Sequence, residues 1–522
     1  MKQEKGCPGS DSAVRSARRR PRWTTTLVAV VVCVAVLTLA FGMPRASARG
    51  EVAFSTASSS SHTLVVLPTG SDDTANIQGA FNICTSHEWT CTIELVKGTY
   101  HTSQIAVTGF QGSFVGAGPG STVIVGNPNL ASPTADPFWS ALPGSTNPWP
   151  ALFTFVNGGF SVSGITFSDT NFYPTLGWDM PGVGAVTALW AWVLITGTAA
   201  YVSMSHVAGI GGPGDQGPFP ESSNSFNIID GMAFQGMLLP PGYTDIYADQ
   251  IPITGSFSVT SSTFLWSETG VWSQNTVDAT MTACFNSMQT VDSNGFWDMS
   301  ASQMLFCGNS VTNISSDDAV GFGGAQSVYK TDLLPSTAIA VGNYFSVNSG
   351  GAAVALYDFG PTDGVASTLS AVVSHNLVVA DTTCMTCWPG GALIGFLDYA
   401  LVSFDASYNV VTASPNPISF GMGVNNLAGG PGTGGGEIIG NVVTGVNISI
   451  SLVDASGFHV TGNVVKNSAS WGIAVWLGSS NNVVSWNVVK NSGQYDLYWD
   501  GTGTGNVWTG NLCKTSSPAG LC

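Results

Sequence analysis

One phrase recurs through the second half of the chain and constrains its fold more than any other feature: GNSVTN at 308, GNYFSV at 342, SHNLVV at 374, SYNVVT at 407, GNVVTG at 440, GNVVKN at 462, SWNVVK at 485 and GNLCKT at 510. Its asparagines, Asn309, Asn343, Asn376, Asn409, Asn441, Asn463, Asn487 and Asn511, stand 34, 33, 33, 32, 22, 24 and 24 residues apart. A repeat of this period builds a solenoid, in which each unit buries its apolar face only against its neighbours. Within each unit the apolar pieces are short, β-branched and alternating, bounded by Gly, Asn and Ser, which makes them strands rather than helices. The shortest coil is therefore 22–24 residues, and the longer ones carry loops. The asparagines are expected to form a ladder, each side chain satisfying the turn of a neighbouring coil.

The period continues upstream. ACFNSM superposes on FCGNSV, matching Cys284 to Cys307 and Asn286 to Asn309, and one step earlier the register reaches Thr263 in SSTF. Strands of adjacent coils lie about 4.8 Å apart, within reach of a disulfide, so Cys284 and Cys307 are expected to bond. Further back, Asp72 or Asp73 can cap a short helix whose Ile77, Ala80, Phe81 and Cys84 form one apolar face suited to covering an open solenoid end. The order of DDTANIQGAF at 72, a strand ending in KGTY at 97, GAGPGSTVI at 116 and then the GN-V phrases resembles the pectin-lyase-like superfamily. That resemblance covers residues 64–522 and implies an all-β fold, a right-handed parallel β-helix solenoid with a short N-terminal capping helix. It is specific for fold and loose for activity, because the superfamily holds lyases, hydrolases, epimerases, binding proteins and phage tailspikes. Three stretches leave the repeat, at 127–150, 209–225 and 232–252. Rich in Pro, Gly and aromatics, they read as long loops on a rigid stack.

The N-terminus is an address. A basic segment, the apolar run Leu27–Met43 and the small residues Ala46-Ser47-Ala48 read as a secretory signal over residues 1–48, with 49–63 as a linker. The alternative is an uncleaved membrane anchor holding the body on the outer face of the cell membrane. Either way the body is expected outside the cytoplasm. Eight cysteines follow the leader, and an even number in an exported chain reads as disulfides; the simplest pairing is local, Cys84–Cys91, Cys284–Cys307, Cys384–Cys387 and Cys513–Cys522. The Cys-Met-Thr-Cys at 384 also has a metal or redox reading, but no second such pair and no histidine cluster accompanies it.

Charge excludes whole classes of function. From residue 49 on the chain holds six basic and 29 acidic residues, a net of −23, and Arg49 is its last arginine. Such a body has no basic patch for nucleic acid. The resemblance implies, for pectate-lyase-type elimination, an arginine base with calcium bridging an acidic sugar; here no arginine follows Arg49, so that mechanism is excluded. The GHG and RIK strings of polygalacturonase-type hydrolases are also missing, and SSDDAVGFGG, with Asp317 and Asp318, resembles only their paired-aspartate segment.

Counted from Thr263, Asn286 and Asn309, the acids Glu268, Asp292 and Asp317/Asp318 fall at one turn of three consecutive coils. Trp272, Trp297 and Phe322 follow on the next strand, with Asp298 beside Trp297. Carboxylates a coil or two apart approach the separations of about 5–9 Å that glycoside hydrolysis uses, and crowding raises one pKa so that it can act as acid. The aromatics would give flat platforms to sugar rings. Two other readings stand beside catalysis: a calcium site on the same four acids, the one cofactor the sequence leaves open, and turn residues that only hydrogen-bond backbone, as Asp358, Asp398, Asp454 and Asp500 also recur after strands. The six histidines are scattered and read as structural. Met281, Met288, Met299 and Met304 read as core rather than as a copper site.

These readings make the chain a monomer whose partner is a polysaccharide or glycan, with membrane contact only through an uncleaved leader. Its function is expected to be hydrolysis of neutral or weakly charged polysaccharide. A non-catalytic glycan-binding or adhesive solenoid is the alternative, and a metal-dependent lyase or epimerase the third.

Overall fold

Each coil runs through three strands, and each strand pairs in parallel with its equivalent in the next coil. In the coil that opens at Ala279, the first strand is Ala279–Cys284, the second Ser287–Gln289 and the third Asn294–Met299. The next coil repeats them as Gln303–Cys307, Ser310–Ile314 and Val320–Gly323. Three faces result, called first, second and third below. In this computed structural model the described residues are 62–126, 151–168, 191–210, 232–235, 255–265, 269–274, 279–289, 294–299, 302–314, 319–323, 336–347, 352–357, 369–380, 392–397, 403–413, 420–425 and 434–522. The architecture is the right-handed parallel β-helix expected from the sequence.

Among the described residues the second face is a sheet of 13 strands, and the first and third faces join into one of 26. The join is made by three long strands near the N-terminus, Ile105–Gly116, Ala151–Ser163 and Ala191–Ser205. Ala191–Ser205 shows the branching: its Val193 pairs with Met232 on one column and its Tyr201 with Ser256 on the other.

Alternation decides what lies inside. On the second face Phe264, Met288, Val311, Phe345, Val378 and Val411 occupy successive coils at one register position and are fully buried. Met281, Met288 and Met304 are core, as expected. Where the chain enters the third face it comes so close to the second that side chains must be small. A Cβ on Gly295 would lie 2.9 Å from Val311 Cγ1, and one on Gly472 would lie 2.2 Å from Val489 Cγ1.

The asparagine ladder is continuous from Asn286 to Asn511. Asn376 is typical: its Nδ2 donates to Ala340 O at 2.9 Å and Asn409 Oδ1 at 3.0 Å, while its Oδ1 accepts from Asn343 N–H and Nδ2, both at 2.9 Å. Upstream of Asn286 the ladder position is Ser262, whose N–H donates to Asn286 Oδ1 at 3.0 Å. The expected marker, Thr263, is therefore corrected by one residue: Thr263 pairs with Ser287.

The capping helix spans Thr74–Ser86 and buries Ile77, Ala80, Phe81 and Cys84. Both aspartates before it work, in different ways. Asp72 accepts from the Thr74 N–H at 3.0 Å, whereas Asp73 turns inward to accept from Thr69 N–H and Oγ1, each at 2.7 Å, and from His101 N–H at 3.1 Å. Phe81 closes the end of the stack against Phe110, Phe114 and Phe155. The first strand, His62–Val66, begins two residues before the expected boundary and pairs with Cys91–Leu95.

Three expected disulfides are present: Cys84–Cys91, Cys284–Cys307 and Cys513–Cys522, with Cα separations of 5.9, 4.5 and 5.3 Å. Cys384 and Cys387 lie outside the described residues, as do the leader and the loop at 127–150. The other two loops are shorter than expected at their starts. Gly209 and Ile210 end the strand Ala208–Ile210, and Met232–Gln235 is a third-face strand held between Val193–Ile195 and Val271–Gln274. Among the described residues no helix is long and apolar enough to cross a membrane.

Candidate functional site

In sequence, the acids singled out above fall between described second-face and third-face strands of consecutive coils. Glu268 lies in the connection from Thr263–Leu265 to Thr269–Gln274, Asp292 in that from Ser287–Gln289 to Asn294–Met299, and Asp317 and Asp318 in that from Ser310–Ile314 to Val320–Gly323. The strands on either side are paired, Thr263 with Ser287 and Ser287 with Ser310 before the corner, Thr269 with Asn294 and Phe296 with Val320 after it. The four acids themselves lie outside the described residues. With the marker moved to Ser262, Glu268 and Asp292 each follow the ladder position by six residues.

On the third face Trp272 and Trp297 are backbone partners, as the sequence offsets suggested. Phe322 is a correction. Its partner is Asp298, while Trp297 pairs with Gly321. The Phe322 side chain is fully buried, with its ring edge-on to Phe296 at 5.9 Å. A ring enclosed by the core offers no platform to a sugar.

Sequence reasoning missed an aromatic cluster on the C-terminal coils of the same face. Strands Trp471–Trp476 and Tyr495–Trp499 are paired, with Trp471 opposite Tyr495 and Ala474 opposite Tyr498. Trp471 reaches diagonally to stack on Tyr498, centroids 4.1 Å apart and planes within 9°, and meets Trp476 edge-on at 5.3 Å. Indole N–H groups fix the rings: Trp471 Nε1 donates to Gln494 Oε1 and Trp476 Nε1 to Ser451 Oγ, both at 3.0 Å. Tyr495 is 37% exposed, and Trp471, Trp476 and Tyr498 are half-buried, so the cluster meets solvent. The signal was present as SWGIAVW and QYDLYW, but a diagonal stack is visible only once the register is known.

The described carboxylates behave as turn residues. Asp496 is buried and accepts from the N–H groups of Ser492, Lys514 and Thr515. Burial raises the Asp500 carboxyl, but hydrogen bonds from the Thr502 side chain and from Leu477 and Thr502 N–H outweigh it and hold the group below the usual carboxylate range. Asp72 is likewise held low, by the Thr74 hydroxyl and N–H. Among the described residues no group of three or more His, Cys, Asp or Glu is placed to hold a metal ion. Asp358 and Asp398 lie outside the described residues.

No protein-family model matches the chain, and no curated protein matches it. Among solved structures it is similar to the catalytic unit of a GH87 α-1,3-glucanase from Streptomyces thermodiastaticus, at 14% identity and a TM-score of 0.48, covering 85% of this chain and 67% of that one. It is also similar to the periplasmic alginate epimerase AlgG, at 10% identity and a TM-score of 0.35 over 81% and 77% of the two chains. Tailspike protein 3 of bacteriophage CBA120 follows at 10% and 0.33, over 85% and 57%. At such identities and TM-scores the activities of those proteins do not transfer to this chain.

Proposed function

We propose that the protein is exported and hydrolyses a neutral or weakly charged polysaccharide at the corner between the second and third faces. The observation that supports this reading is the register of the flanking strands: Thr263 pairs with Ser287 and Ser287 with Ser310, then Trp272 with Trp297 and Phe296 with Val320, so the segments that hold the four acids in sequence join equivalent strands of three consecutive coils. Asp317 and Asp318 serve as the acid and base: one protonates the leaving glycosidic oxygen while the other activates water or attacks the anomeric carbon, according to their separation. Trp272 and Trp297, backbone partners on the strands that follow, are the sugar platforms. Export is supported by three disulfides in the described residues, which persist in oxidising compartments.

The test is a polysaccharide panel assayed for new reducing ends and for the ultraviolet absorbance of unsaturated products, with and without chelator. The expected result is release of reducing ends that falls at least ~100-fold in Asp317→Asn and in Asp318→Asn, the scale of general acid–base catalysis. Turnover at the wild-type level in both variants would falsify the assignment. Activity abolished by chelator and restored by calcium would assign the four acids to a calcium site, and unsaturated products would favour lyase chemistry.

A second reading, a non-catalytic glycan-binding solenoid, is favoured by the described acids: Asp73, Asp405, Asp496 and Asp500 each accept from a backbone N–H. Retention of a polysaccharide without release of any product from it would support that reading.

A further inference from the structure

The corner between the first and second faces, where the asparagine ladder turns, carries a feature that the acid corner does not use. The residue just before each ladder asparagine is left-handed. On five coils it is glycine, Gly308, Gly342, Gly440, Gly462 and Gly510, with φ between +59° and +67°. On four it is a large ring: Phe285 at φ +60°, His375 at +56°, Tyr408 at +55° and Trp486 at +57°. The backbone is the same in both sets, so glycine satisfies the turn at no steric cost, whereas a bulky residue pays for the left-handed conformation. Strain retained where an unstrained residue is available points from the outlier toward function.

The rings are also placed for contact. Phe285, Tyr408 and Trp486 are 52%, 57% and 68% exposed, among the most exposed large side chains of the described residues. Each lies over the glycine of the following coil. A Cβ on Gly308 would stand 2.8 Å from the Phe285 ring, one on Gly440 2.7 Å from Tyr408, and one on Gly510 2.8 Å from Trp486. His375 has no glycine beneath it and instead tilts against Tyr408 at 5.2 Å. The sequence pattern is therefore aromatic-Asn on one coil and Gly-Asn on the next, three times over: the glycine seats one side of the ring.

Two rows flank these rings. On the second face Tyr344, Leu377, Val410 and Leu512 lie in one register column and are 37–59% exposed. On the first face Ser374, Ser407, Ile439, Thr461 and Ser485 lie in another; Ser374, Ser407 and Thr461 are half-buried with hydroxyls at the surface edge, while Ser485 is buried and its hydroxyl bonds to Thr461 Oγ1 at 3.0 Å. Flat apolar rings beside a row of hydroxyls match a sugar polymer, whose rings have apolar faces and hydroxyl edges. From Phe285 to Trp486 the ridge spans seven coil steps, or on the order of 30 Å at ~4.8 Å per step. That length suits a polymer; a small ligand would touch one ring. The net charge of −23 past residue 48 opposes both a polyanion and a second copy of the chain.

We propose that this ridge of Phe285, His375, Tyr408 and Trp486 is a binding track for a neutral polysaccharide chain, separate from the acid corner and sharing with the reading above only that the ligand is a glycan. The test is native affinity electrophoresis of the full chain in gels containing dextran, laminarin or galactomannan, with polygalacturonate as the polyanionic control. The variants are Tyr408→Gly and Trp486→Gly, singly and together; both install the residue that other coils carry, so they are expected to melt no lower than wild type. Gly510→Ala is the complement, keeping the Trp486 ring but filling its seat.

Retention by at least one neutral polymer is expected, weakened roughly tenfold per ring removed, since burying one large ring contributes about one decade of affinity. Gly510→Ala is expected to weaken it as well, and polygalacturonate to retain nothing. Equal retention of wild type and the double variant, or none by any neutral polymer, overturns the proposal. So does loss, in the same variant, of binding to phosphatidylcholine vesicles or of a dimer seen by light scattering, which would assign the ridge to a membrane or to self-association. Polysaccharide turnover that persists in the double variant with retention unchanged sinks the ridge and leaves the acid corner standing; turnover unchanged in Asp317→Asn and Asp318→Asn, with retention weakened in the double ring variant, does the reverse.

Discussion

Tyr100 shows how one residue ties the cap to the stack. It is fully buried, and its hydroxyl donates to Val66 O at 2.8 Å and Val96 O at 3.0 Å. Burial, and then the charge of Asp73, push its pKa up to about 12. The folded form therefore keeps the phenol proton at pH values where the unfolded chain, near 10, has lost it. The contribution of this tyrosine is complete below pH 10 and lost as pH rises toward 12. Tyr100→Phe is expected to cost about 1 kcal/mol at neutral pH through the lost hydrogen bonds. Denaturant titrations between pH 9 and 12 should show wild-type stability falling more steeply than that of the variant; parallel curves would contradict the coupling. The tyrosine stands in KGTY and is easily read, but neither of its carbonyl partners is adjacent in sequence.

The ladder is the element on which the coils depend. Asn376 is 1% exposed, and its removal strands the Asn343 N–H and the Ala340 carbonyl, while Asn511, at 8% exposure, ends the row. Buried groups left without partners cost about 1–3 kcal/mol each, so Asn376→Ala is expected to destabilise by about 3 kcal/mol or more, and Asn511→Ala by less. Thermal melts of the two variants check the order. This element, the capping helix and the three disulfides of the described residues were legible from the sequence; for the ladder and Cys284–Cys307 the reason is that a fixed period names equivalent positions without any geometry. Legibility ended where counting had to cross connections of unequal length. Trp297 follows Asn286 by 11 residues and Phe322 follows Asn309 by 13, offsets similar enough to set the two rings side by side, whereas the register pairs Phe322 with Asp298 and Trp297 with Gly321. SSTF contains no asparagine, so the marker fell on Thr263 when the ladder passes through Ser262. Of the candidate site, the pairing of Trp272 with Trp297 could be read from the residues, and the four acids lie outside the described residues. The Trp471–Tyr498 stack could not, because its partners are not opposite each other in register.

The described coils are quasi-one-dimensional: each strand pairs with its equivalents in the neighbouring coils, and stability accumulates along the axis. Its surface chemistry follows the same axis, with left-handed rings along the corner between the first and second faces. The axis also leaves an exposure that globular cores lack. Parallel strands stacked at about 4.8 Å are the internal geometry of an amyloid fibril, and a bare end is a template for the next chain. The Thr74–Ser86 helix is in this light a chain terminator. With Phe81 packed on Phe110, Phe114 and Phe155 it occupies the end where another molecule would add. Phe81→Asp is expected to release that stopper and produce concentration-dependent, thioflavin-positive filaments where the wild type forms none. If the variant only unfolds without fibrillising, the helix is a stabiliser and nothing more. If filaments form, a single helical turn of phenylalanine chemistry is what separates this fold from end-to-end polymerisation.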